Sequence, residues 1–264
     1  MLMEAKNQIK VMFLSLKYNI MKQMTNKVTF ITNIVFMILN NASFIIQWLI
    51  LFSLKEEIGG YTIKEVILLW GIAASVFGIA HILFNKAFEL SDLIINGKLD
   101  TFLVQPQNVF LSVITSDTSI SAIGDLIYGY ICLFLYGITI KNFILFTIFT
   151  ITGGIILAAF VSIIGSISFW IVKGDILVDT LNNMMVSFAT YPGTIFKNTI
   201  RIILYTVIPV GIANYMPVDT IINFSFMNFV YIIAFTIAIV ILAFYIFNTG
   251  LKRYSSSNLM SSRI

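Results

Sequence analysis

The chain has few of the side chains from which catalytic and metal sites are built. Its 264 residues include one cysteine, one histidine and four prolines, and charged residues make up 11%. Cys132 therefore has no partner for a disulfide within the chain, and His81 lacks the companions that a zinc or catalytic cluster needs. No G-x-x-x-x-G-K-[ST] string occurs. We expect no metal site, no cofactor and no enzyme activity in this chain, and no nucleic-acid partner.

The shortage of charge identifies the solvent. Soluble domains carry about 25% charged residues, whereas this chain is 59% hydrophobic and has a mean hydropathy of +0.96. Its polar side chains are too few to cover a surface that faces water. We therefore predict an all-α, polytopic membrane protein with one transmembrane domain over residues 1–264.

Hydrophobic runs predict the membrane spans. A helix needs about 20 mainly apolar residues to cross a bilayer core of about 30 Å. Five segments satisfy this requirement: 28–54, 66–84, 119–140, 143–172 and 224–248.

The region 176–217 is apolar but interrupted. It carries Asp179, Lys197 and Arg201, together with Pro192, Pro209 and Pro217. We predict a span at 176–191, followed by a broken, re-entrant segment at 194–217 that packs against protein or a water-filled cavity. Six spans result. The alternative is a second full span here, which would make seven.

The distribution of basic residues predicts the orientation. With six spans, one side holds eleven of the 16 lysines and arginines: Lys6, Lys10, Lys17, Lys22, Lys27, Lys86, Lys98, Lys173, Lys252, Arg253 and Arg263. The positive-inside rule places that side, with both termini, in the cytoplasm. Seven spans would move the basic tail outside.

The apolar run within residues 1–27 is too short to span the membrane. Lys6, Lys10 and Lys17 fall within about 40° of one another on a helix, which favours a helix lying in the cytoplasmic interface. A simple basic lead-in to the first span is the equal alternative. No small-residue cleavage site follows, so we expect this segment to remain on the protein.

Two features inside the spans attract attention. Asp125 lies within the third span, where an ionisable side chain is costly and tends to be functional. Two roles are open for it: pairing with a polar group, and proton coupling.

Small residues recur every four positions in the fourth span, at Gly154, Ala158, Ser162 and Ser166. Such a stripe lets helices approach closely, either within the protomer or between two protomers.

The cytoplasmic loop 85–108 is the most informative stretch. We predict that the second-span helix continues beyond Phe84 and ends at Asn96-Gly97, a helix-ending signal. A short amphipathic turn should follow and end at Pro106. Its exposed side chains would be Leu99, Phe102 and Leu103, which either dock a partner or form an ordinary interfacial turn.

The same loop carries a family resemblance. Gly97, Leu99, Asp100, Leu103 and Pro106 resemble the G-x-L-D-x-x-L-x-x-P signature of a branch of ABC-2-type exporter permeases. Further fragments follow in order: Gly124-Asp125-Leu126, Gly129, Tyr191-Pro192, Ile195-Phe196, Pro209, Pro217 and the tail 250–256.

The resemblance implies a partner and a mechanism. Such permeases work with a separate P-loop ATPase, which binds ATP and Mg²⁺, and with a second, identical or paralogous permease. The loop 85–108 would then be the coupling loop that docks the ATPase. The broken segment would line an outer gate with Pro192, Ile195, Phe196, Arg201 and Pro209. We expect an exporter of a hydrophobic or amphiphilic substrate in a bacterial cytoplasmic membrane. The alternative is a self-contained secondary transporter or channel that uses Asp125.

Overall fold

The computed structural model describes residues 2–171 and 174–255. This part of the chain is helical, with one isolated antiparallel bridge between Ile58 and Tyr61 and no strand. Lys173 and Arg263, two of the basic residues assigned to the cytoplasmic side, lie outside the described residues, as does Ser256 of the tail.

The described residues form twelve α-helices. In chain order they are α1 (Leu2–Gln23), α2 (Lys27–Leu54), α3 (Ile63–Leu83), α4 (Leu90–Ile95), α5 (Asp100–Leu103), α6 (Val109–Ile114), α7 (Ser121–Gly137), α8 (Ile140–Ser166), α9 (Gly174–Ala189), α10 (Asn198–Thr206), α11 (Met216–Ile222) and α12 (Phe226–Leu251). Short 3-10 turns lie at Asn85–Ala87, Ile167–Phe169 and Gly193–Ile195, and a π-helical turn lies at Gly211–Tyr215.

Four helices of the described chain are long and apolar enough to cross a membrane: α2, α3, α8 with its 3-10 extension, and α12. Helix α10 and the helical stretch Gly211–Ile222 meet at 77°, and they make a fifth span if they are counted as one. The all-helical polytopic class is thus confirmed. The count of six stays a prediction, because α7 has 17 residues and α9 has 16, including Asp175 and Asp179.

Helix boundaries differ from the predicted ones where a local cap or turn decides them. Helix α3 begins at Ile63, before the predicted residue 66, because Thr62 and Glu65 form a capping box. The predicted span 119–140 is shorter in the structure, since Gly137 has a φ of +139° and ends α7. Thr139 then caps α8, accepting a hydrogen bond from the Asn142 backbone N–H at 3.1 Å.

Helix α3 lies at the centre and contacts α2, α7, α8 and α9. Its closest neighbour is α7, because both helices carry glycine where they cross. A Cβ added at Gly129 would lie 2.6 Å from the Gly71 carbonyl oxygen, and one at Gly78 would lie 2.9 Å from the Leu126 nitrogen. Small residues permit this approach in lipid, where the hydrophobic effect between helices is lost. Helix α2, in contrast to α3, packs little against the rest of the chain: 6% of its apolar 18-residue stretch is buried.

Candidate functional site: the loop 85–108 and an aromatic-lined cavity

The segment 85–108, which we call the coupling loop after the role that the resemblance implies, follows a path that differs from the predicted one. Helix α3 ends at Leu83, and the chain turns at Phe84 into the 3-10 turn before α4 begins. The predicted continuation of α3 beyond Phe84 is therefore wrong. At the far end, Gly97 has a φ of +68° and the Lys98 N–H donates to the Leu93 carbonyl at 2.9 Å. This is the left-handed ending that glycine accommodates after a helix.

Helix α4 packs the coupling loop against α8 and α9. Leu90, Leu93 and Ile94 are buried, and α4 contacts α8 and α9. The Ser91 and Ser168 hydroxyls are 2.6 Å apart in a buried hydrogen bond. The loop is therefore packed onto the helix bundle, against α8 and α9.

The predicted exposed face of the loop needs one correction. Leu99 is fully buried, because the turn directs it into the core cluster that includes Leu90 and Phe110. Phe102 is half-buried, whereas Leu103 and Val104 are 42% and 84% exposed. The apolar tip thus consists of Leu103 and Val104, followed by exposed Pro106.

Asp100 is joined to the tail of the chain. Burial and the neighbouring carboxylate of Asp100 raise the pKa of Tyr254, just beyond α12, to about 12. Next to it, Arg253 lies over the Trp170 ring at 5.9 Å from the centroid. Of these tail residues, Tyr254 therefore interacts with the coupling loop, whereas Arg253 contacts Trp170.

Helix α1 is attached to the segment that follows the coupling loop. Ser15, Asn19 and Gln23 donate to the backbone carbonyls of residues 115, 116 and 118, at 3.1, 3.0 and 2.7 Å. Gln8 accepts from the Asn108 N–H at 3.0 Å. These contacts were missed from the sequence, although the four polar residues fall within about 80° of one another on the helix.

Asp125 is paired with a neutral partner. The Asn41 side-chain amide on α2 donates to its carboxylate at 2.6 Å. Among the described residues, no lysine or arginine forms an ion pair with it. The other acid of this region, Asp117, accepts from Asn85 at 2.7 Å, and Asn85 also contacts His81 at 3.0 Å.

Asp125 and His81 line a cavity of about 740 Å³. Its walls come from α2, α3, α7 and the end of α9, and it is rich in aromatic side chains: Phe44, Trp48, Trp70, Phe77 and Tyr191. We call it the lateral cavity. The described residues contain no group of three histidine, cysteine or acidic side chains that could hold a metal ion.

The small-residue stripe of α8 lies inside the protomer. Gly154, Ala158, Ser162 and Ser166 are all buried, and a Cβ at Gly154 would lie 2.5 Å from the Ile79 side chain of α3. Within the described chain these residues are covered by its own helices. The stripe is therefore not exposed for contact between two protomers.

The broken segment (residues 194–217) packs under the loop between α2 and α3. Thr194 donates to the Gly59 carbonyl, and Ile195 lies against Gly59. Phe196 contacts Phe188 of α9, with ring centroids 5.1 Å apart. Pro209 lies at the bend between the two short helices, and Arg201 is exposed. Pro192 is buried beside the same loop.

Comparison with known families agrees with this architecture. A family model described as ABC-2 family transporter protein matches residues 17–258. The chain belongs to the ABC-2 transporter family, and it is an ABC-2-type transmembrane permease. Members of this family generally lack enzyme activity and work with a separate ATP-binding subunit. Comparison with curated proteins gave no match, and neither did comparison with solved structures.

Proposed function

We propose that the chain is the permease subunit of an ATP-driven exporter that moves a hydrophobic or amphiphilic substrate out of a bacterial cell. A separate P-loop ATPase binds ATP and Mg²⁺ and docks on the coupling loop. A second permease, identical or paralogous, completes the path. Both termini lie in the cytoplasm, and the six spans are α2, α3, α7, α8, α9 and α12, with α10 and α11 as a re-entrant segment before the last.

The observation that carries the docking proposal is the division of the coupling loop into a buried base and an exposed tip. Leu99 and Ile94 hold the base in the core, while Val104 and Leu103 are presented outward. Exposed apolar side chains at the end of a short helix fit a groove on a partner. The G-x-L-D-x-x-L-x-x-P motif belongs to this proposal: Leu99 and Asp100 shape the loop, and Leu103 and Pro106 meet the ATPase.

The loop also has the attachments that a transmission element needs. Helix α4 packs on α8, and Phe110 of α6 contacts Phe244 and Phe247 of α12, with centroids 4.8 and 4.9 Å apart. When ATP closes the ATPase dimer, these helices would tilt together as a rigid body. ATP shifts this equilibrium because it binds the closed state more tightly than the open one.

In this proposal the second permease lies along α2 and α9. Trp48 is the buried residue of α2, while Phe36, Leu39 and Ile50 are between 57% and 64% exposed. A helix this long and this little buried by its own chain must face lipid or another protein. A second copy beside α2 would enclose the lateral cavity between the two permeases.

The test is co-purification from the native host with a tagged chain. The wild-type protein is expected to recover a P-loop ATPase. Val104→Asp places a charge at the exposed tip and should reduce that recovery about tenfold or more, without loss of membrane insertion. The matched control is Met24→Asp, which adds the same charge at an exposed apolar residue of the turn after α1. Full ATPase recovery with Val104→Asp would contradict docking at the tip.

The alternative is a self-contained secondary transporter or channel. Its support is Asp125, a carboxylate that lines a cavity among predicted spans. Recovery of the chain alone in several detergents, with no ATPase, would favour this alternative.

A further inference from the structure

We propose that the lateral cavity binds an amphiphilic organic cation, with Asp125 as the counter-charge and the aromatic side chains as the seat for its apolar groups. This deepens the proposed function, on which it rests, by naming a substrate class. Four observations on the cavity carry the proposal: its charge, its aromatic lining, its unsatisfied polar group and its size.

The first observation is an acid without a cation. Asp125 lines the cavity, and the Asn41 amide is its hydrogen-bond partner in the described part of the chain. Neither a lysine nor an arginine is among the residues that line the cavity, and His81, which does line it, contacts Asn85 at 3.0 Å. A carboxylate among apolar helices is stabilised when a positive charge stands next to it. The site is therefore complementary to a cation that arrives with the ligand.

The second observation is the density of aromatic rings. Phe44 and Trp70 stack with centroids 5.3 Å apart, and Trp48 meets Tyr191 edge-on at 5.7 Å. Ring faces attract cations, and the attraction grows when water is excluded. The same rings bury the apolar groups of an amphiphile.

The remaining observations concern polarity and size. The Trp70 indole N–H is buried and has no hydrogen-bond partner among the described residues. Such a group is costly unless it finds a hydrogen-bond acceptor, and Trp70 is one of the residues that line the cavity. A volume of about 740 Å³ lies within the range of about 300–1,000 Å³ that is usual for small-molecule sites.

The cavity has an uneven distribution of polar groups. Asn40, Asn41 and Asp125 are on the α2 and α7 walls, whereas Phe44, Trp48 and Trp70 stand next along α2 and α3, with Gln47 as a neutral polar side chain among them. An amphiphile can therefore place its charged end against Asp125 and its apolar end against the rings in one orientation. An anionic amphiphile of the same shape meets a repulsive carboxylate instead.

The test compares two probes of equal size and opposite charge, tetraphenylphosphonium and tetraphenylborate. The full-length chain is reconstituted in lipid nanodiscs, and binding to empty nanodiscs is subtracted. Saturable binding of tetraphenylphosphonium is expected, and tetraphenylborate should neither bind saturably nor compete. Asp125→Asn keeps the shape and an acceptor for Asn41, and it should weaken phosphonium binding at least about tenfold.

The matched control is Asp179→Asn, the same change at an exposed acid of α9 that does not line the cavity; it should bind as the wild type does. Three results would overturn the proposal: no saturable phosphonium binding, equal binding of the borate, or equal phosphonium affinity in Asp125→Asn. The comparison of the two probes on the wild type does not depend on any variant folding. Binding to the chain alone is also independent of ATPase recovery, so the two proposals fail separately.

Discussion

At the scale of single residues, the polar side chains of this apolar chain are used in pairs across helices. Asn41 with Asp125 and Tyr61 with Asp219 join segments that are far apart in sequence. Lipid offers no hydrogen-bond partner, so a polar group there must find one within the protein. Each pair therefore contributes to specifying which helices are neighbours.

Tyr61→Phe tests the pair that joins the loop between α2 and α3 to α11. The Tyr61 hydroxyl donates to the Asp219 carboxylate at 2.7 Å, and burial, together with this bond, raises the pKa of Tyr61 above its usual range. The phenol thus stays protonated at all physiological pH values. Its removal should cost about 1–3 kcal/mol and lower the melting temperature in detergent. Tyr231→Phe, at a half-exposed ring on α12, is the control; equal melting of both variants would contradict this role.

At the scale of helices, the close packing of α3 with α7 organises the bundle. The two helices approach at Gly71, Gly78 and Gly129, and α7 also meets α2 at Gly124, where an added Cβ would lie 2.5 Å from the Ile34 carbonyl oxygen. This packing sets the distance between α2 and α3. It therefore also sets the width of the lateral cavity.

Gly129→Val should disrupt the α3–α7 contact. The new side chain would meet the Gly71 carbonyl and Ser75, and overpacking of this kind costs about 1–3 kcal/mol or more. We expect a lower melting temperature and a reduced yield of monodisperse protein by size exclusion. Ala238→Val, at an exposed position of α12, adds comparable bulk with space around it. A Gly129→Val protein as stable as that control would show that the helices can separate.

At the scale of the whole molecule, exposure is distributed unevenly. In the central helices α3 and α8, 72% of the apolar 18-residue stretch is buried inside the protein. The corresponding buried share is 6% in α2 and 22% in α12. Helix α2 also carries Asn40 and Asn41 toward the lateral cavity. A partner along α2 would shield these polar groups from lipid, in keeping with the proposed pair of permeases.

Cysteine cross-linking tests that pairing. Cys132→Ser removes the single native thiol, and Leu39→Cys then introduces one at an exposed position of α2. If two copies pair along α2, mild oxidation in membranes should yield a disulfide-linked dimer. Ile241→Cys, at a 63% exposed position of α12, should stay monomeric. In a complex shown to hold two copies, failure of Leu39→Cys to cross-link would contradict this arrangement.

Long apolar helices were predictable because their signal is local. The spans 28–54 and 224–248 correspond to α2 and α12, each within three residues at both ends. The end of α4 at Gly97 was equally local. Side-chain direction within the coupling loop was not, since Leu99 and Val104 are both apolar and tertiary packing buries one and exposes the other.

The sequence by itself determined the class of the protein: with 11% charged residues, lipid has to be the solvent, and hydrophobic helices have to satisfy their backbones internally. The match of a family model to residues 17–258 shows the family. The tertiary structure decided which residues meet. Asn41 with Asp125, Asp100 with Tyr254 and α1 with residues 108–118 are contacts between distant segments. Their partners are chosen by how helices pack in three dimensions, and no local pattern of residues encodes that choice.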